Sequence, residues 1–221
     1  LPHYVDSVDS TNSYAKNLSV VSGKNQLVVT DYQSAGRGRG TNTWISPDAG
    51  TALLSSWIFD LNFTPQPILP ALVGLAVYES LLEIGGFSYV SLKAPNDIYM
   101  KDKKVCGILI ENLSQGQNNR LIIGIGMNVF KNPEQMHTAS CVQEHRKENI
   151  DMCAWNGFLI ELYKRLKKFV TDSQKTTLDS DKCKRILDAL NRSELLKEKY
   201  LEVLPSAEIK TAKGIIHWTN I

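Results

Sequence analysis

The order of apolar and polar positions divides the chain into runs of period two, runs of helical period and polar interruptions. The polar cluster Asp9-Ser10-Thr11-Asn12 precedes a helical run over residues 11–21, and each of its side-chain oxygens can cap that helix. Residues 27–32 (LVVTDY), β-branched at their centre, predict a strand, and residues 51–59 (TALLSSWIF) predict a buried one. Pro65, Pro67 and Pro70 then break the chain. Leu72, Leu75, Ala76 and Leu82 recur at helical spacing up to Gly85-Gly86, which predicts a helix over 72–84. Residues 89–93 predict a short strand that ends at Ala94-Pro95-Asn96-Asp97. Residues 98–100 and 104–113 flank the charged turn Lys101-Asp102-Lys103 like a hairpin; 114–119 is a second polar turn, and 120–129 (RLIIGIGMNV) is a further strand.

Residues 132–149 are long and irregular, the composition of a binding loop or lid. Residues 152–170 predict an amphipathic helix with Trp155, Phe158, Leu159, Leu162, Leu166 and Phe169 on one face. Its Lys164, Arg165, Lys167 and Lys168 complement the C-terminal dipole and read as a solvated face rather than a nucleic-acid patch. A polar linker over 171–181 leads to a helix over 182–200, and 207–218 predicts a small hairpin turning at Lys213-Gly214. Three successive strands joined by short polar turns imply an antiparallel meander, with the helices at 11–21 and 72–84 over one face. The fold class expected is therefore α+β, with a mixed, mainly antiparallel central sheet, rather than a doubly wound parallel sheet. Two regions are expected: a large domain over 1–170 and a small appendage over 171–221, a helix plus a short hairpin.

Composition narrows the function classes. With 221 residues, 43% hydrophobic and 22% charged, the chain suits one large domain with a small addition. A formal charge of +2 gives no global electrostatic case for nucleic acid or a membrane surface as partner. No apolar run is long enough to suggest a membrane span, and the amino end LPHYVDSVDST lacks the basic and apolar regions of a signal peptide. Cys106, Cys141, Cys153 and Cys183 are widely spaced without C-x-x-C, and the four histidines are scattered. Reduced thiols in a cytoplasmic protein are expected, and a zinc site is not.

The stretch TDYQSAGRGRGTNTW, residues 30–44, carries the most chemistry. Gly36, Gly38 and Gly40 alternate with Arg37 and Arg39, which allows backbone N–H groups and two guanidinium forks to face one ligand. That suits a phosphate or a carboxylate. No Gly-Lys-Ser/Thr follows, as a Walker A loop requires, and no apolar helix opens directly after it, as the dinucleotide fingerprint requires. A solvated surface loop and an RNA-binding turn remain open on this stretch alone.

Three segments belong together: the DSTN cluster, the loop QSAGRGRG, and KAPND followed by KKVCGILIE, with GIGMN after them. In this order they closely resemble the biotin protein ligases, the biotin–acetyl-CoA-carboxylase ligases, over roughly residues 7–130. The resemblance implies a class II synthetase-like fold and a two-step reaction. Biotin and Mg·ATP give biotinyl-5′-AMP and pyrophosphate, and the adenylate then acylates a lysine of a biotin carboxyl carrier protein. Chemistry of that kind needs positioning and charge neutralisation rather than a protein nucleophile. By match to the family motifs, Ser10, Thr11 and Gln33 would hydrogen-bond the ureido ring. Gly36, Arg37, Gly38 and Arg39 would cover the biotin carboxylate and the adenylate phosphate. Lys104 matches the motif lysine and is the first candidate for catalysis, with Arg37 and Arg39 beside it. Gly107 would line the biotin pocket. Trp44, Lys93, Asn96, Asp97 and Asn128 would hold ATP or the adenylate, with Mg2+ arriving on ATP near Asp97 rather than in a protein site of its own.

Two departures from the family pattern stand out. Ala94 replaces a tryptophan between the motif's lysine and proline, and Gly40-Thr41-Asn42-Thr43 replaces a second Arg-Gly-Arg. With no helix-turn-helix before residue 7, repressor activity is not expected. The rival within the fold is a lipoate ligase or lipoyl/octanoyl transferase, against which the polar trio Ser10, Thr11 and Gln33 argues. A non-catalytic sensor is a second alternative, against which Lys104, Arg37 and Arg39 argue. A homodimer through an exposed strand edge near residues 120–129 is also expected to be possible, and residues 34–43 are expected to close over the ligand.

Overall fold

In the computed structural model, residues 1–21, 23–85, 87, 89–115 and 118–220 are described. The first half runs β1 (Pro2–Val8), α1 (Thr11–Lys16), β2 (Gln26–Gln33), β3 (Ala52–Leu61) and α2 (Leu69–Ile84). Next come β4 (Val90–Lys93), β5 (Asp97–Met100), β6 (Lys103–Gln115) and β7 (Asn118–Asn128). The rest comprises α3 (Met152–Asp172), α4 (Ser180–Asn191) and the short strands β8 (Glu202–Val203), β9 (Ile209–Thr211) and β10 (Gly214–Ile216). The chain divides into two compact units, one of Leu1–Thr64 with Lys104–Glu144 and the other of Pro65–Lys103 with His145–Ile221.

The first unit is built on strands in the order β1-β2-β3-β7-β6. β1 runs parallel to β2, and the β2–β3, β3–β7 and β7–β6 pairs are all antiparallel. This is the expected mixed, mainly antiparallel sheet. Its centre is apolar on both faces because β3 and β7 are buried nearly throughout. α1 closes one side through Ala15, which packs with Val28, Ile58 and Ile122. The helix stops at Lys16 rather than reaching residue 21, and Asn17 is its C-cap; the Val20-Val21 that follow favour extended backbone. β7 is paired on both sides, with β3 and with β6. The exposed edge expected near 120–129 is therefore absent, and β1 and β4 are the sheet's edge strands. Within residues 132–149, expected as a binding loop or lid, 138–142 pack beside Lys104: Thr138 O accepts from Lys104 N at 3.0 Å, Ser140 N donates to Lys104 O at 3.0 Å, and Ala139 to Val142 are buried.

In the second unit α2 packs against α3, α4 and β4. It starts three residues before the expected Leu72 because Pro70 sits in its first turn, where a missing N–H costs nothing. Its stop at Gly85 holds; Gly86 lies outside the described residues, as do residues 116–117 of the expected second turn. α3 buries Phe158, Leu162, Leu166, Phe169 and Val170. Arg165, expected on a solvated face, pairs instead with Glu79 at 2.8 Å and Glu83 at 2.7 Å on α2. α4 ends at Asn191, well before the expected Tyr200, because the Asn191 side chain is taken by the backbone of Tyr200: Nδ2 donates to its O and Oδ1 accepts from its N. The carboxyl end is a three-stranded antiparallel sheet, β10-β9-β8, rather than one hairpin. Residue 170 lies inside α3, and residues 171–221 share their unit with α2, β4 and β5.

Candidate functional site

Ser10, Thr11, Gln33, the Gly/Arg loop, Trp44, Lys104, Gly107 and Asn128 all belong to the first unit. Ser10 is the N-cap residue of α1, yet its side chain makes no capping bond, so the cluster is not a simple cap. Thr11 N and Oγ1 both donate to Gln33 Oε1, at 2.7 and 3.1 Å. Ser56 Oγ on β3 lies 2.8 Å from Thr11 Oγ1 and 2.5 Å from Asn12 Oδ1. Ser10, Thr11, Asn12, Gln33 and Ser56 are all buried. With Gln33 Oε1 committed to Thr11, its Nε2 is the group left to donate to an incoming carbonyl.

The loop after Gln33 folds back on itself. Gly38 N donates to Asn42 O at 2.8 Å and Trp44 N to Gly36 O at 2.9 Å, with Gly40 turning at φ 65°. Gly36 permits this closure, because a Cβ there would run into the Trp44 carbonyl and lie 3.2 Å from Gln33 Nε2. The Trp44 indole lies on the paired glycines of β6 and β7: Gly107 and Gly126 face each other in register, and a Cβ on Gly126 would stand 2.7 Å from the ring. A Cβ on Gly107 would meet Lys104 Nζ and the Trp44 ring, each at 3.2 Å. Lys104 Nζ is 5.9 Å from the Trp44 ring centroid, within cation–π range. Lysine, indole and glycine floor therefore meet at one place. Trp44 Nε1 and Asn128 Oδ1 are buried without a hydrogen-bond partner among the described residues, while Asn128 Nδ2 donates to Ser140 O at 3.2 Å. Buried unsatisfied groups are rare, and two among the expected site residues mark a place suited to a polar ligand.

One carboxylate organises the charge. Glu111 on β6 accepts from Asn12, from Lys16 at 2.8 Å, and from both guanidinium nitrogens of Arg37 at 3.0 and 3.1 Å. Burial pushes its pKa up, but the bonds from Lys16 and Asn12 and the Arg37 charge outweigh that and bring it below the ordinary glutamate range. Arg37, expected as a free charge for the ligand, is therefore engaged within the protein.

Lys93, Ala94, Asn96 and Asp97 lie in the second unit, where Lys93 and Asp97 face each other across β4 and β5. Lys93 Nζ donates to Tyr99 Oη at 3.2 Å and sits over the same ring. Ala94 is buried, and the turn gains an indole from elsewhere: fully buried Trp218 donates Nε1 to Pro95 O at 2.9 Å. Among the described residues no three His, Cys, Asp or Glu side chains cluster to hold a metal, and no helix is long and apolar enough to cross a membrane.

A model of the biotin/lipoate A/B protein ligase family matches residues 4–128. The chain belongs to that family. It is similar to the biotin protein ligase of Aquifex aeolicus solved in complex with biotin and ATP, with 30% identity, a TM-score of 0.73, and coverage of 97% of this chain and 94% of that one. It is 32% identical over 124 residues to the bifunctional ligase/repressor BirA of Escherichia coli, a match covering 55% of this chain and 38% of that protein. The biotin–[acetyl-CoA-carboxylase] ligase of Paracoccus denitrificans is 33% identical, over 57% of this chain and 53% of that protein. The chain thus matches about half or less of the length of these two curated relatives.

Of the sequence-derived residues of the first unit, Thr11, Gln33, Gly36, Trp44, Lys104 and Gly107 lie against one another in turn. Sequence reasoning quoted the segments that hold Asn12 and Glu111 without giving either residue a role, and it missed Ser56, for which a signal existed in the two adjacent serines of the mostly apolar β3.

Proposed function

We propose that this chain is a biotin protein ligase that activates biotin with Mg·ATP and transfers it to a lysine of a biotin carboxyl carrier protein. The observation that carries the reading is the convergence of Lys104, Trp44 and Gly107 in the same unit as the buried Thr11–Gln33–Ser56 cluster. The cluster offers hydroxyl and amide groups to a ureido head, and the glycine floor seats the Trp44 indole beside Lys104. In the first step a biotin carboxylate oxygen attacks the α-phosphorus and pyrophosphate leaves. In the second, the carrier amine attacks the acyl carbon and AMP leaves with the bonding pair. Both steps develop negative charge between carboxyl and α-phosphate, which the Lys104 ammonium is suited to stabilise. Arg39 and the backbone of residues 36–39 cover the same charges. By match to the family motifs, Asn128, Trp44, Lys93, Asn96 and Asp97 would serve the nucleotide. Asp97 would offer a carboxylate to Mg2+ that enters with ATP. Residues 171–221 act in this reading as an appendage that steadies the Ala94–Asp97 turn through Trp218, and the four free thiols suit a cytoplasmic setting.

The test is to incubate the protein with biotin, Mg·ATP and a biotin carboxyl carrier domain and weigh the carrier. A gain of one biotinyl group is expected, and Lys104→Ala should slow it by roughly 10²–10³-fold without unfolding the protein. Acylation of a lipoyl domain with lipoate, and none with biotin, would transfer the chain to the lipoate branch. No acylation of either carrier would overturn the ligase reading.

A further inference from the structure

The Glu111–Arg37 pair joins parts of the chain that no local pattern links. Arg37 lies on the Gly/Arg loop and Glu111 on β6, 74 residues apart, and the pair is bidentate, with both guanidinium nitrogens on the two carboxylate oxygens. The Glu111 side chain is only 18% exposed, against 42% for Arg37, so the carboxylate is the fixed partner and the arginine the arriving one. Asn12 and Lys16 of α1 hold the same carboxylate from the other side, at 2.9 and 2.8 Å. A fork-to-fork pair constrains direction as well as distance, unlike a lysine in the same place. The Thr11–Gln33 bonds begin one residue away from Asn12, and the Gly36 hinge one residue away from Arg37.

We propose that Glu111 is a positioning residue that tethers the Gly36–Trp44 loop through the Arg37 guanidinium, so that Arg37 serves the site through this tether rather than as a charge on the ligand. The inference deepens the ligase reading and rests on it for the identity of the ligand. It divides the work between two arginines that the sequence pattern treats alike. The Arg37 charge is neutralised by Glu111 and holds the loop's first limb beside the polar cluster, whereas Arg39 makes no such bond to Glu111. It also bears on the absent second Arg-Gly-Arg: the tether acts on the opposite limb from residues 40–43, so the loop keeps its anchorage without those charges.

The experiment has two arms. In the first, amide hydrogen exchange of residues 36–44 is followed in the ligand-free full chain for the wild type, Arg37→Ala, Glu111→Gln and the double variant. Each single substitution should speed exchange by about tenfold, and the double by no more than either single, because both remove one interaction. Lys16→Met removes another bond to the same carboxylate but none to the loop, and it should leave exchange at 36–44 at the wild-type rate. In the second arm, the same variants should raise KM for biotin by one common factor, with KM for ATP unchanged. Wild-type exchange in Glu111→Gln, equal loosening of the loop by Lys16→Met, or additive effects of Arg37→Ala and Glu111→Gln on KM would each overturn the tether. The first arm needs no turnover. Failure of the wild type to form biotinyl-AMP would therefore overturn the ligase reading while the tether is still decided by exchange.

Discussion

At the scale of single residues, the site depends on what two glycines of β7 leave out. Gly124 and Gly126 point to the same face of the strand, and one receives the Asn12 amide while the other receives the Trp44 indole. A Cβ on Gly124 would collide with Asn12 Oδ1 and lie 3.0 Å from Asn12 Cγ. Asn12 cannot swing away freely, since it holds Ser56, which lies against Thr11, and also reaches Glu111. Gly124→Ala is therefore expected to cost about 1–3 kcal/mol in stability, as overpacking of a tight site does, measured by denaturant unfolding. It should also raise KM for biotin by disturbing Thr11. A stability equal to wild type would show that Asn12 has room to yield. These residues also explain what could be read of the site beforehand. Ser10, Thr11, Gln33, Lys104 and the loop glycines sit in short motifs. Glu111 ends the quoted segment KKVCGILIE, but its role, like that of Ser56, is set by partners 44 to 99 residues away.

At the scale of elements, α3 and α4 of the second unit begin on acidic caps. Asp179 Oδ1 accepts from Lys182 N at 2.8 Å at the start of α4, as Asp151 Oδ1 accepts from Ala154 N at 2.7 Å at the start of α3. The Asp179 pKa is lowered, first by the Lys182 side chain and then by this backbone bond. A carboxylate with a lowered folded-state pKa adds stability above its unfolded pKa and loses it as pH falls through the folded value. Asp179→Ala should accordingly cost about 0.5–2 kcal/mol near neutral pH. The gap between variant and wild type should then close on acidification below the ordinary aspartate pKa of about 3.9. A gap independent of pH would assign the cost to packing instead. Elements with a buried face were legible in sequence: β2, β3, β7 and α3 fall within a few residues of their expected bounds. β1 was not, because as an edge strand it pairs on one side only and leaves Tyr4 exposed, so its sequence shows no apolar alternation. α4 was overextended because residues 192–200 have helical composition, while the Asn191 side chain satisfies the Tyr200 backbone and turns the chain away.

At the scale of the whole molecule, the carboxyl end repairs a loss in the motif near its middle. Ala94 stands where the family carries a tryptophan, and the expectation was either a looser nucleotide site or a neighbour supplying the missing bulk. Trp218 is 1% exposed and donates its indole N–H to the carbonyl of Pro95, the residue after Ala94 and 123 residues before Trp218. The indole is thus supplied from the far end of the chain, and the turn that presents Asn96 and Asp97 is held by a hydrogen bond rather than by its own side chain. Trp218→Phe keeps most of the bulk and removes the donor. A typical net hydrogen bond contributes about 0.5–1.5 kcal/mol, so if the turn serves ATP the variant should raise KM for ATP about 2- to 10-fold. KM for biotin should not change, because the residues proposed to face biotin belong to the first unit. Steady-state kinetics with each substrate varied in turn separates the two. An equal rise in both constants would mean that Trp218 supports the fold in general. An unchanged KM for ATP would mean that the Ala94–Asp97 turn stays in place without it.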